Sequence, residues 1–404
     1  MLQLKNKEKK QNIVVDATIL KIYSNFGRDN LVQSMIDKQD TYTPHFKSYI
    51  LEDSTYKGGG KKIKMPEGVT VHKLSSNENP LGFSDSAKEA IIKATNELNL
   101  YPDNTDIRLR QALVKDFNNE LSTEHFVTAN SGSEIIDIIS KVFLSEGDEI
   151  IVSQPCFLPY TAFTRWMGAK AINVPLTPDY DYDLDGIVSA ITSKTRLIFL
   201  ASPNNPSGNY IPHDTLKDFL DKLPPHVIVI YDEVYRHFAE AEDYTSALPF
   251  IKEGYKMIAI NSFSKTYGLA GLRVGYCYAP LELSNYIRKV CKPFLLSSLA
   301  LEGAIAALED LDFVERTVDL VKKERNYVLN GLQELGIKHW PTQGNFVLID
   351  PPVEELKFTS LLEQQGIMVR PVGVFGAPGK VRISFGVHEA NMAMLAAIKT
   401  VLNH

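Results

Sequence analysis

The 404-residue chain is 44% hydrophobic and 23% charged, the balance of a globular protein with material for about two domains, or three at most. A formal net charge of −6 and the lack of a long Lys/Arg block argue against nucleic acid or an acidic membrane as partner. The three cysteines, Cys156, Cys277 and Cys291, are scattered and form no CxxC pair, which argues against a disulfide framework or thiolate zinc site and for a reducing compartment.

The chain opens on the charged run MLQLKNKEKKQN. The apolar stretch after it, IVVDATILKIY, is interrupted by Asp16 and Lys21 and lacks a small-residue cleavage site. No signal peptide and no membrane span is expected, and the expected location is the cytoplasm. Residues 1–65 read as an N-terminal extension or arm. Within it, Gly58-Gly59-Gly60-Lys61-Lys62 lacks both the spacing of a phosphate-binding loop and the hydroxyl after its lysine, so it reads as a surface loop.

From about 85 to 280 helical and strand patterns alternate. SDSAKEAIIKATNEL and DIRLRQALVKDFNNEL have apolar residues at helical spacing, and HFVTA, DEIIVSQ, AINVPL, TRLIFLA, HVIVIYD, MIAINS and RVGYCYA are short β-rich runs. Short apolar runs bounded by Gly, Pro and Asn predict a buried, mostly parallel sheet of about seven strands with helices on both faces, an α/β domain. After about 296 a long helical stretch leads to two further strands, NFVLID and KVRISFG. The tail NMAMLAAIKTVL places Met394, Leu395, Ile398, Val401 and Leu402 on one face of a packing helix. The expected organisation is the arm, a large domain over 89–299, and a smaller α+β domain made from 66–88 and 300–404.

Ligands of such sheets sit outside the carboxyl ends of the strands, where the polar motifs fall. Lys265 follows MIAINS within Ser262-Phe-Ser264-Lys265, ahead of Gly268, Gly271 and Arg273. Hydroxyls and a guanidinium around one lysine suit an anionic phosphate beside a reactive amine; a serine-rich turn with a solvated lysine is the plainer reading. Asp232, closing the apolar run before Glu233-Val234-Tyr235, needs a cationic partner if buried and otherwise suits a helix N-cap. Asn205, in SPNNPSG, belongs to a third strand end, or simply to a turn. Asn130-Ser-Gly132-Ser133-Glu134 joins a strand to a helix, offering backbone N–H groups to a phosphate or a plain N-cap at Ser133. Phe157 is placed to stack on a flat ring or to fill the core. Cys156 beside it has no activating base and reads as structural.

SPNNPSG, YDEVY and SFSKTYGLAGLRVGY together resemble the fold-type-I aminotransferases of the aspartate aminotransferase superfamily, which use pyridoxal 5′-phosphate (PLP). The resemblance spans about residues 74–400, and 89–299 would be the PLP-binding domain. It implies that Lys265 carries the cofactor as a Schiff base, that Asp232 pairs with its ring nitrogen, and that Asn205 and Tyr235 bond its phenolic oxygen. It further implies that Phe157 stacks on the ring and that Gly132, Ser133, Glu134, Ser262, Ser264 and Arg273 surround the phosphate. A homodimer is implied, with Tyr101 of LYPD reaching the partner's phosphate. Within the superfamily, KLSSNENPLGFSDSAKEAI, LYPD, GNFVLID and GIMVRPVGVFGAPGKVRISFG resemble the histidinol-phosphate aminotransferases. That group implies Arg382, Arg370 and Asn345 at the substrate, Arg382 on an α-carboxylate and Arg370 on a second anion. DEVY and NSFSK depart from the group's usual DEAY and RT-[LF]-SK, and the N-terminal extension is longer, which puts the substrate in question.

The expected activity is transamination between an amino donor, such as histidinol phosphate, and an oxo-acid such as 2-oxoglutarate. Three other readings stay open: an aromatic donor, a PLP decarboxylase, lyase or oxidase, and a non-catalytic module. The last is disfavoured because the first 65 residues lack a basic or helix-turn-helix pattern.

Overall fold

The computed structural model describes residues 47–51 and 68–403. The chain divides into two units, Met1–Thr55 and Tyr56–His404. Of the first, a helical turn at Ser48–Leu51 is described; the rest of the expected arm, with the glycine-lysine run at 58–62, lies outside the described residues. All that follows concerns the second unit.

The seven apolar runs form the seven strands of one sheet. Its spatial order is Phe126–Ala129, Gly275–Tyr278, Met257–Ser262, Ile228–Asp232, Thr195–Ala201, Glu149–Val152, Lys170–Asn173. The last five run parallel to one another, while Gly275–Tyr278 is antiparallel to both its neighbours. The strands inside the sheet are buried on both faces, successive side chains entering opposite cores, while the edge strand Lys170–Asn173 is largely exposed. Val229 and Tyr231 enter one core with Met257 and Ala259, while Ile230 enters the other with Ile258 and Ile260. Burying each such aliphatic side chain contributes about 1.5–3 kcal/mol.

A second, antiparallel sheet has the order Arg370–Pro371, Val381–Ser384, Phe346–Ile349. Its apolar face shares a core with Val321, Val328 and Leu332 of helix Leu311–Glu334 and with Met394, Ile398 and Val401 of helix His388–Leu402. Leu402, expected on that buried face, is 40% exposed, while Val401 in the same turn stays buried. The helical stretch after 296 is two helices, since the Asp310 carboxylate accepts from Phe313 N at 3.1 Å and starts a new one. The first, Ser298–Glu309, buries Ala300, Leu301, Ala304, Ala307 and Leu308 in a core of the large sheet. It therefore lies on the large-sheet side of the boundary expected at 299/300. Among the described residues no helix is long and apolar enough to cross a membrane.

Candidate active site

Three neighbouring strands of the large sheet end at one edge and deliver Asn205, Asp232 and Lys265 to a single cavity of about 380 Å³. Asp232 is the last residue of its strand, and its side chain faces the cavity. Its Oδ2 accepts from Tyr160 Oη at 2.6 Å and its Oδ1 from Val234 N at 3.2 Å. Burial pushes its carboxyl up to about 6, with the Tyr160 hydrogen bond pulling the other way. Glu233, one residue on, points away and is consumed by Asn261 Nδ2, Tyr278 Oη and Ala247 N. The two neighbouring carboxylates are thus separated, one for the cavity and one for the fold.

Lys265 follows its strand by a tight turn. The turn needs Gly268, at φ +70°, where a Cβ would fall 1.7 Å from the Gly82 carbonyl oxygen. Lys265 Nζ donates to Ser76 O at 3.1 Å and sits 5.8 Å from the centre of the Tyr235 ring. Burial first, and then the Arg382 guanidinium, hold its ammonium down to about 7. An amine that loses its proton near neutrality is a usable nucleophile toward a carbonyl carbon.

At one end of the cavity lies an anion-binding corner. Helix Gly132–Phe143 begins there, with Ser131, Gly132 and Ser133 lining the space beside Ser262, Ser264 and Arg273. Ser262 Oγ and Ser264 Oγ are 2.9 Å apart. Gly275 lets the neighbouring strand back onto this corner, since a Cβ there would lie 2.6 Å from Gly132 N. The helix is capped by Ser131, whose hydroxyl accepts from Glu134 N; Ser133, the cap in the plainer reading of this stretch, is already in the first turn.

On the wall made by the small sheet, Arg370 and Arg382 are direct partners across antiparallel strands. Their guanidinium carbons lie 5.5 and 5.9 Å from the centre of the Phe375 ring. Arg382 also donates to Asn205 Oδ1 and, at 2.8 Å, to Ser75 O. Phe157 and Tyr235 complete the walls. Cys156 is buried and its thiol is pushed up to about 12 by burial, in keeping with a structural role.

Three expected residues do not line this cavity. The Glu134 carboxylate turns back to accept from Asn130 N at 2.7 Å, closing the helix start. Asn345 lies wholly buried behind the wall and donates to Asn77 O at 3.2 Å. Tyr101 is 83% exposed and stacks on Phe294. Conversely, Tyr160, Ser75, Ser76, Asn77 and Phe375 line the cavity without having been singled out. Tyr160 stands three residues after Phe157, and Asn77 stands inside KLSSNENPLGFSDSAKEAI, but neither stretch shows the chain distant in sequence that each one meets.

The sequence profile of the family described as Aminotransferase class I and II matches residues 69–398. Histidinol-phosphate aminotransferase 1 of Mannheimia succiniciproducens is 38% identical over 348 residues, which is 85% of this chain and 94% of that protein. The histidinol-phosphate aminotransferase of Akkermansia muciniphila is 38% identical over 338 residues, 83% of this chain and 92% of its own. Among solved structures, the histidinol-phosphate aminotransferase from Clostridium acetobutylicum has a TM-score of 0.75 at 25% identity, over 82% of this chain and 99% of that one. The Sinorhizobium meliloti enzyme in complex with PLP has a TM-score of 0.76 at 24% identity, over 82% and 92%, and shares the fold.

The cavity fits PLP by the chemistry of its groups. A near-neutral amine suits an aldehyde, a buried carboxylate suits a protonated pyridine nitrogen, and a helix start with serines and a guanidinium suits a phosphate. The chain belongs to the class I and II aminotransferase family and is a PLP-dependent aminotransferase, moving an amino group between an amino donor and an oxo-acid acceptor.

Proposed function

We propose that the amino donor is histidinol phosphate and the acceptor 2-oxoglutarate. The observation that carries this reading is the arginine pair on the wall made by the small sheet. Arg370 and Arg382 sit opposite one another on paired strands and share the face of Phe375. Like charges directly opposite are unfavourable, and a phosphate monoester near neutrality brings about two negative charges to offset them. The names of the Mannheimia and Akkermansia relatives point the same way.

In this reading PLP supplies an electron sink for the charge that develops on the substrate Cα. Lys265 would hold the cofactor through its aldehyde carbon, and its amine, deprotonated near neutrality, would serve as the base that moves the substrate Cα proton. Asp232, oriented by Tyr160 and the Val234 N–H, holds the ring nitrogen's proton. Asn205 and Tyr235 bond the phenolic oxygen and Phe157 stacks on the ring. Gly132, Ser133, Ser262, Ser264 and Arg273 hold the phosphate. Arg370 takes the donor's phosphate ester, and Arg382 clamps the acceptor's α-carboxylate in the bidentate manner open to guanidinium. We assign residues 85–309 to a large domain and 69–84 with 310–403 to a smaller one. The working form is a cytoplasmic homodimer in which Tyr101 reaches the partner's cofactor phosphate.

Steady-state kinetics with a panel of donors test this. Arg370→Met raises the KM for histidinol phosphate by about 10–100-fold, the scale of a lost hydrogen bond to a charged group, with a smaller effect on 2-oxoglutarate. An unchanged KM, or an aromatic amino acid outperforming histidinol phosphate in the wild type, contradicts it.

A further inference from the structure

The segment Ser75-Ser76-Asn77 crosses the cavity, and each of its residues holds one of the groups assigned above. Ser75 O accepts from Arg382 Nη2 at 2.8 Å, Ser76 O accepts from Lys265 Nζ at 3.1 Å, and Asn77 Nδ2 donates to Tyr235 Oη at 3.0 Å. Asn77 differs from the other two in using its side chain. It is 1% exposed and has φ +53°, a left-handed conformation that asparagine tolerates better than most residues.

The orientation of its amide follows from its neighbours. Asn77 N donates to Ser384 Oγ at 2.8 Å, and Ser384 Oγ donates to Asn77 Oδ1 at 2.7 Å. Asn345 Nδ2 fixes the Asn77 carbonyl from behind. Ser384 is 3% exposed and its hydroxyl has one hydrogen. Reversing the Asn77 amide would remove the acceptor of that hydrogen in a buried place, which is costly. Nδ2, which can only donate, therefore faces Tyr235.

We propose that Asn77 is a positioning residue that sets the direction of the Tyr235 hydrogen bond. By donating to Tyr235 Oη it makes the hydroxyl's own hydrogen the one offered to the cofactor's phenolic oxygen. The run Ser384 to Asn77 to Tyr235 to that oxygen is then ordered in one direction, each donor polarising the next. The inference rests on the reading that Tyr235 meets the phenolic oxygen. That oxygen carries more negative charge once the nitrogen joining Lys265 to the cofactor has lost its proton. A donor there favours the deprotonated nitrogen and lowers the pH at which it titrates.

The test is the visible absorbance of the substrate-free holoenzyme followed against pH, in a double-mutant cycle. Asn77→Gly removes the amide without straining the left-handed backbone, and Ser384→Ala removes the hydrogen that pins it. Neither changes the charges of the cavity, which are Asp232, Lys265, Arg273, Arg370, Arg382 and the Lys73–Glu78 pair. Tyr235→Phe raises the midpoint by about one pH unit, a tenfold change in the equilibrium. Asn77→Gly and Ser384→Ala each raise it by a part of that, and neither adds a shift in the Tyr235→Phe background. Melting of the cofactor-free variants reports any general loss of stability separately. A midpoint unmoved by both variants, while Tyr235→Phe moves it, overturns the proposal and leaves the Tyr235 reading standing. Equal shifts in both backgrounds also overturn it, since they mark a purely structural role. A midpoint unmoved by Tyr235→Phe sinks the Tyr235 reading, and this inference with it.

Discussion

Burial acts in opposite directions at Asp232 and Lys265, and before any cofactor binds both groups weaken the fold over a defined pH range. Asp232 is raised from about 3.8 to about 6. The folded state therefore holds its proton more tightly, and stability falls as pH rises through that window. Lys265 is lowered from about 10.5 to about 7. The unfolded state holds that proton more tightly, and stability rises as pH climbs from about 7 toward 10.5. Melting of the cofactor-free protein as a function of pH checks both. Asp232→Asn removes the decline between pH 4 and 6, Lys265→Met removes the rise above 7, and profiles parallel to wild type contradict the assignment. In the holoenzyme, Lys265→Ala lowers kcat by roughly 10³-fold or more, the scale of a lost proton-transfer group; near-normal turnover would refute its role.

Elements explain why some of this was legible in the sequence and some was not. A buried strand is short, apolar and bounded by turn residues, so the strands show as runs, and motifs placed just after the neighbouring parallel strands Thr195–Ala201, Ile228–Asp232 and Met257–Ser262 fall at one end of the sheet. Lys265, Asp232 and Asn205 were legible for that reason. The direction of Gly275–Tyr278 was not, because periodicity does not encode polarity. Tyr160 was missed because its partner Asp232 lies 72 positions away, and Asn77 because Ser384 lies 307 away. The helix cap fell on Ser131 because Glu134 has both its N–H and its carboxylate tied to the residues before Gly132, which local propensity among three neighbouring polar residues does not resolve. The packing of strand on helix start at Gly275 gives an element-scale prediction. Gly275→Ala displaces Gly132 N and weakens PLP binding by about tenfold or more, as an overpacking strain of 1–3 kcal/mol would. Equilibrium dialysis showing wild-type affinity would contradict it.

For the molecule as a whole, the two sheets meet at the cavity. The large one brings the groups proposed to surround the cofactor, and the small one brings the two arginines proposed to face the substrate. The proposed dimer adds Tyr101, whose 83% exposure leaves its hydroxyl available to a second copy. Tyr101→Phe is expected to weaken PLP binding while sedimentation still reports a dimer; unchanged affinity would remove Tyr101 from the site. The most direct test of the whole account adds histidinol phosphate to PLP-loaded enzyme with no acceptor present, followed by 2-oxoglutarate. The account predicts one oxo product per active site in the first step, then one glutamate per site with the original absorbance restored. Product released beyond one per site without an acceptor, or carbon dioxide in place of amino transfer from any donor, would contradict it.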